Sequence, residues 1–245
     1  NRNSVFQLAS ASKLAFATYA MERIKSPNTD QLQKMQMSAG YGRFNPTLCP
    51  VMNSVASCFN AGKNSTLLKG EIGLFHYGDG HDNKLAIDLG MGDMGPRKLT
   101  EEIQSVLGED TTFSYAFPDV VGGMQATPAG YGNFMRKLLS GKFVMSSYLG
   151  SYPVCTQPKT CSTSVRTPLN RAMHYSLNHW VEDDPQGDGA FSSIGLYGFY
   201  PWISADKQFY GILAMQGVPR IGVPLGLKCG GAIRKAWMTG QVVTK

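Results

Sequence analysis

The chain has 245 residues, 42% of them apolar, so it can bury a substantial core. Only 16% are charged, and the net charge of +6 is dispersed in pairs such as Arg97-Lys98, Arg136-Lys137 and Arg234-Lys235. This excludes a disordered tail and gives no concentrated basic stripe for nucleic acid. No apolar run approaches the ~20 residues a membrane-spanning helix needs.

Residues 8–24 read as a helix, with Leu14, Ala17, Met21 and Ile24 on one face. Ser26-Pro27-Asn28-Thr29 stops it. Residues 30–65 read as irregular, with turns near Gly40-Tyr41-Gly42 and Asn45-Pro46. Residues 83–107 read as two helical pieces divided at Gly95-Pro96. Thr127 followed by Pro128 is an N-cap with proline at the first helical position, opening a helix to about Leu139. Residues 174–181 alternate like one strand. Residues 194–203 and 208–215 form a hairpin around Ser204-Ala205-Asp206-Lys207, and residues 232–238 a short closing helix. Helices first and antiparallel strands last predict one α+β domain over 1–245, helical over about 8–165 and sheet plus closing helix over about 166–245.

Cys49 and Cys58 bracket one short segment, Cys155 and Cys161 another, and Cys229 is left over. Neither spacing is a redox or zinc pattern. Two local pairs suggest two small disulfide loops in an oxidising compartment, with five free cytosolic thiols as the alternative. Asn64-Ser65-Thr66 is an N-glycosylation sequon, which with the cysteines favours a secreted or luminal glycoprotein.

Ser10-Ala11-Ser12-Lys13 is an S-x-x-K at a predicted helix start. That spacing puts hydroxyl and amine on one face, and burial favours the neutral amine that can take the serine proton. The same tetrapeptide pattern recurs at Ser204–Lys207, in a turn expected to face water. The histidine pairs 76/81 and 174/179 lack helical metal spacing and read as surface or strand histidines; no metal or cofactor is expected.

Further segments align in order with a known superfamily. LASASKLAFATYAM, LQKMQMSAGY, Phe75-His76-Tyr77-Gly78-Asp79, VGGMQATPAGYGNFMRKLLSGK, Ser193-Ile194-Gly195-Leu196-Tyr197-Gly198 and GFYPWISADKQFYGILAMQ together resemble class C β-lactamases, penicillin-binding proteins and family VIII carboxylesterases. The resemblance implies an antiparallel sheet flanked by helices. Two sheet strands precede the corresponding helix in relatives, whereas nine residues precede Ser10. It therefore implies a sheet lacking its N-terminal strands, which a second chain or an N-terminal fragment would supply.

The same resemblance implies a nucleophile at Ser10, with Lys13 and Tyr77 as proton partners. Backbone N–H groups of Ser10 and Leu196 would form the oxyanion hole, with Ser193 and Gly195 lining the substrate strand. Asp79 stands where relatives have an amide and is expected to ion-pair with Lys13. Ser193 stands where they carry Lys, His or Trp, which points to a neutral small-molecule ester or amide. The implied function is a serine hydrolase acting through an acyl-enzyme; the alternative is an inactive member of the fold used as a binding or assembly module.

Overall fold

The computed structural model describes residues 1–243. The chain opens with strand β1 (Phe6–Gln7), then a 3₁₀ turn (Ala9–Ser12) running directly into α1 (Lys13–Ile24). The predicted first helix therefore begins as a tighter turn. Leu8 N–H still donates to Met124 O, 3.0 Å away in a neighbouring strand, so the chain must leave a sheet and start a helix within two residues. Ala9 absorbs that bend at φ +45°, a region non-glycine residues rarely occupy. From Leu14 to Met21 every residue of α1 is buried, making it a core helix rather than an amphipathic one.

Helix α2 (Thr29–Met35) falls where irregular structure was expected. Its start is a capping box: Gln31 N–H donates to Asn28 Oδ1 (2.9 Å), and Asn28 N–H donates to the Gln31 side chain (3.0 Å). Helix α3 (Val55–Phe59) follows, closed by a Cys49–Cys58 disulfide. Strand β2 (Phe75–His76) leads into α4 (Gly80–Ala86), which passes through a π-helical turn at 87–91 before α5 (Pro96–Leu107). Leu99, Ile103 and Leu107 bury one face of α5. Strands β3 (Ser114–Tyr115) and β4 (Met124–Ala126) join β1 in a small sheet of order β1-β4-β3. The predicted cap at Thr127 is present: its hydroxyl accepts from Gly130 N–H at 3.0 Å and starts α6 (Pro128–Leu139). A short helix α7 (Met145–Tyr148) follows.

The second half is built on strands β5 (Val154–Cys155), β6 (Ser164–Arg166), β7 (His174–Ser176), β8 (His179–Val181), β9 (Phe191–Ser192), β10 (Tyr200–Ile203) and β11 (Tyr210–Leu213). Six of them form an antiparallel sheet of order β11-β10-β9-β8-β7-β5, while β6 pairs in parallel with β2. Residues 174–181 are a hairpin instead of one strand, because Asn178 takes φ +58° and reverses the chain. The closing helix α8 (Pro219–Thr239) has 21 residues, far longer than expected. Its glycines lie where helix meets sheet: a Cβ on Gly222 would stand 2.5 Å from the Tyr197 carbonyl carbon, and one on Gly230 2.1 Å from the Tyr200 ring.

A second disulfide joins Cys155 and Cys161, and Cys229 is free and exposed. Both bridges fit an oxidising compartment. Asn64 corrects the glycosylation expectation. Its side chain is 1% exposed, and its amide nitrogen, the atom a glycan would occupy, donates to Cys58 O (3.1 Å) and Asn45 O (3.3 Å).

Candidate active site

Ser10 sits half-buried in the 3₁₀ turn on the floor of a groove of about 1480 Å³. The turn is fixed from below. Tyr131 Oη donates to Ala11 O (2.7 Å), Ser12 Oγ donates to Val121 O (2.7 Å), and Ser193 Oγ donates to Ser10 O (3.0 Å). The strained Ala9 and these three anchors leave the Ser10 side chain facing the groove beside Tyr77, Trp180 and Leu196.

Ser193, Gly195 and Leu196 come to the site as expected, but not on a strand. Residues 193–199 form a tight connection between β9 and β10, held by Gly195 N–H donating to Phe199 O and Gly198 N–H to Gly195 O, each at 2.9 Å. Ser193 N–H donating to Pro201 O (3.2 Å) continues the β9–β10 register into this segment, which leans onto the Ser10 turn. A Cβ at Gly195 would stand 2.2 Å from Leu8 O, so glycine is what permits the approach.

Tyr77 follows β2, and its N–H donates to Arg166 O (3.1 Å). Its ring stacks on Trp180 (5.7 Å, 18°) and meets Tyr175 edge-on (5.9 Å). Ser10 and Tyr77 line the same groove. Burial raises the Tyr77 pKa, and the Lys13 charge pulls it back only in part, so the resting phenol is neutral.

Lys13, 1% exposed, is ion-paired with Asp79, and its Nζ lies 5.0 Å from the Tyr77 ring centroid. Burial pulls the ammonium pKa down, but Asp79, then Tyr77 and Asp82, outweigh it and hold it above the ordinary lysine value. The expected Lys13–Asp79 pair is thus present, and the lysine rests protonated. Asp79 is held at the start of α4 by the close approach of two loops: a Cβ on neighbouring Gly78 would stand 2.4 Å from Gly42 O.

Behind this pair lie two acids with no local sequence signature. Asp82 and Asp119 are both fully buried, and one carboxyl oxygen of each has no hydrogen-bond partner. Asn178 Nδ2 donates to Asp82 Oδ1 (2.5 Å), and Asn83 Nδ2 donates to Asp119 Oδ1 (2.9 Å). Burial pushes each carboxyl up to about 7, against the opposing pull of Lys13. They are separated by 37 residues in sequence, and Asn178 by 96 from Asp82, so only the fold assembles them.

His76, His174 and His179 lie on strands, as one of the two readings had it, and His81 lies on helix α4. His81 is fully buried, accepting from Ala39 N–H (3.2 Å) at Nδ1 and donating from Nε2 to His76 O (3.0 Å). His76 is buried against Glu71, and His179 is fully buried beside Gly150. Among the described residues no group of three His, Cys, Asp or Glu side chains is arranged to hold a metal ion.

No protein-family model matches the chain, and no curated protein matches it. Solved structures do. The hydrolase EstCE1, with promiscuous acyltransferase activity, matches with a TM-score of 0.68 at 13% identity, over 96% of this chain and 85% of that one. A mutant of simvastatin synthase from Aspergillus terreus matches at 0.61 and 12% identity, over 98% and 86%. A penicillin-binding protein from Bacillus halodurans matches at 0.57 and 10% identity, over 94% and 87%. The chain has the β-lactamase and penicillin-binding-protein fold, an α+β arrangement of an antiparallel sheet with helices.

Proposed function

We propose that the chain is a serine hydrolase that cleaves a neutral ester or amide through an acyl-enzyme on Ser10. The observation that carries this reading is that Ser10 and Tyr77 share one open groove, with the Nζ of buried Lys13 5.0 Å from the Tyr77 ring centroid.

Ser10 Oγ attacks the carbonyl carbon, forming a C–O bond and moving the carbonyl electron pair onto oxygen. The Ser10 proton passes to Tyr77, which gives its own proton to Lys13. Lys13 rests protonated beside Asp79, so it must first lose that proton to solvent. The neutral amine, not the ammonium, is the acceptor. The Ser10 and Leu196 N–H groups receive the developing oxyanion, each such donor contributing about 10²–10³-fold. Collapse expels the alcohol or amine, which takes the proton back from the Tyr77–Lys13 pair. Water or an amine then repeats the sequence on the acyl-serine. The two disulfides support a secreted or luminal setting for this work.

One observation favours a second reading. The Lys13–Asp79 pair neutralises the base, as a binding or assembly module of the same fold would tolerate. A fluorophosphonate probe separates the two. An adduct mapped to Ser10, absent in Ser10→Ala, supports the hydrolase. A folded protein that stays unlabelled up to alkaline pH overturns it in favour of the module.

A further inference from the structure

Helix α8 carries three distinct faces. Gly222, Gly226, Gly230 and Arg234 are buried on the sheet side. Arg234 locks that face: it donates to Glu182 Oε2 and Asp188 Oδ1, both at 2.9 Å, and to Tyr200 Oη at 2.5 Å. A second face looks into the Ser10 groove and contributes Arg220, Val223, Leu227, Lys228, Lys235 and Met238 to its wall. The third face is turned to solvent, yet it is apolar. Ile221 (52% exposed), Leu225 (40%), Ile233 (53%) and Trp237 (70%) recur at helical spacing beside the buried ladder.

This stripe is concentrated. Of the sixteen large hydrophobic side chains exposed among the described residues, eight lie within residues 218–243. Scattered exposed apolar residues are ordinary; a continuous rigid stripe with a protruding tryptophan is not. The charge of the segment that carries it is one-signed. Asp206 is the last acidic residue of the chain, and the 39 residues after it hold only cations. Arg220, Lys228 and Lys235 make no ion pair among the described residues and lie on the groove side of the helix.

An apolar face with tryptophan, flanked by cations and with the neighbouring acids Glu182 and Asp188 paired to Arg234 on the sheet side, has the chemistry of a helix lying in a membrane interface. Self-pairing of two such helices would bring cation against cation. We propose that the outer face of α8 docks on an anionic lipid surface, with Trp237, Ile233, Leu225 and Ile221 entering the headgroup boundary and Arg220, Lys228 and Lys235 meeting lipid phosphates. No helix of the described chain is long and apolar enough to cross a membrane, so the association is peripheral. It does not rest on the Ser10 chemistry.

The test uses the whole chain, with flotation on phosphatidylcholine vesicles with and without phosphatidylglycerol. Binding is expected only with the anionic lipid and is weakened by salt. Trp180 and Trp202 are already 2% and 4% exposed, so a blue shift in fluorescence on binding reports Trp237 and disappears in Trp237→Ser. The pair Lys228→Glu and Lys235→Glu, at exposed positions, is expected to weaken binding at least about thirtyfold with an unchanged circular dichroism spectrum. Ser10→Ala binds like the parent, so failure here is separable from failure of the hydrolase reading. Equal binding to both vesicle types, no binding, or a dimer in light scattering that buries Trp237 without lipid each overturns the proposal.

Discussion

The same four-residue pattern occurs twice in this chain and folds into two unlike environments. At Ser10–Lys13 the lysine is 1% exposed, paired with Asp79, and backed by two buried acids. At Ser204–Lys207 the serine is buried, at 3%, correcting the expectation that this turn faces water. There its hydroxyl serves the turn: it donates to Asp206 Oδ1 (2.5 Å) and accepts from Phe209 N–H (3.0 Å). Lys207 takes φ +59° and reaches across to Leu149 O (3.3 Å) above the Phe191 ring. Serine burial does not separate the two, since Ser204 is buried more deeply than half-buried Ser10. What differs is whether the lysine is enclosed with an acid and a phenol, which is a property of the fold and not of the motif.

That contrast is open to attack. The largest effect is expected from Ser10→Ala, which should remove fluorophosphonate labelling and lower p-nitrophenyl ester hydrolysis by about 10³-fold or more. Lys13→Met comes next. It should slow labelling about 10²–10⁴-fold and, by stranding Asp79, cost about 3 kcal/mol in urea unfolding. Adding Asp79→Asn should restore the stability and leave the labelling slow.

Asp79→Asn alone tests the proton bookkeeping. With Lys13 held above its ordinary pKa, the neutral amine grows tenfold per pH unit, so the parent rate should climb steadily from neutral to alkaline pH. Removing the carboxylate that does most to raise that pKa should shift the whole pH–rate profile to lower pH and speed the reaction at neutrality by about tenfold or more. An unchanged profile would mean that Asp79 does not set the lysine.

Asp119→Asn probes the acids behind the pair through stability. Between about pH 4 and 7 the folded chain keeps a proton on Asp119 that the unfolded chain has lost, so the carboxyl's contribution falls as pH rises. Relative to Asp119→Asn, the parent should therefore gain about 2–4 kcal/mol between pH 7 and pH 4, measured by denaturant titration at each pH. His81 and His179, held down to about 3 and about 4 by burial, slope the other way below pH 6.5, and cancel in that difference. The smallest effect belongs to the other motif. Ser204→Ala should leave labelling untouched and cost about 1 kcal/mol from its turn.

How much of this the amino-acid order announces depends on the range of the signal. Helix starts with a chemical cap were legible: Thr127-Pro128 was read from two residues. Asn28 and Gln31 carried the same kind of signal for α2 and went unread among surrounding turn residues. The hairpin at 174–181 hid in its alternation because the reversal needs only Asn178. Helix α8 was read as seven residues because glycine and proline disfavour helices in isolation, a propensity overridden by packing on the sheet. Of the candidate site, Ser10, Lys13, Tyr77, Asp79 and the 193–196 segment were locatable because each sits in a short ordered motif. Asp82, Asp119 and Asn178 were not, since nothing local marks an acid that becomes buried through contacts across the chain. Asn64 is the converse, a perfect local pattern cancelled by its place inside the fold.

The glycines of α8 carry one more consequence, for the width of the groove. Helix α8 meets the Tyr197 backbone at Gly222, the Ile194 side chain at Gly226 and the Tyr200 ring at Gly230, each nearer than a Cβ would allow, so these contacts set how close the helix wall stands. An alanine at any of the three would act as a shim, tilting the wall that holds Val223 and Leu227 without altering a residue that faces the substrate. The width of the groove thus has a mechanical control, hidden from any inventory of pocket-lining side chains.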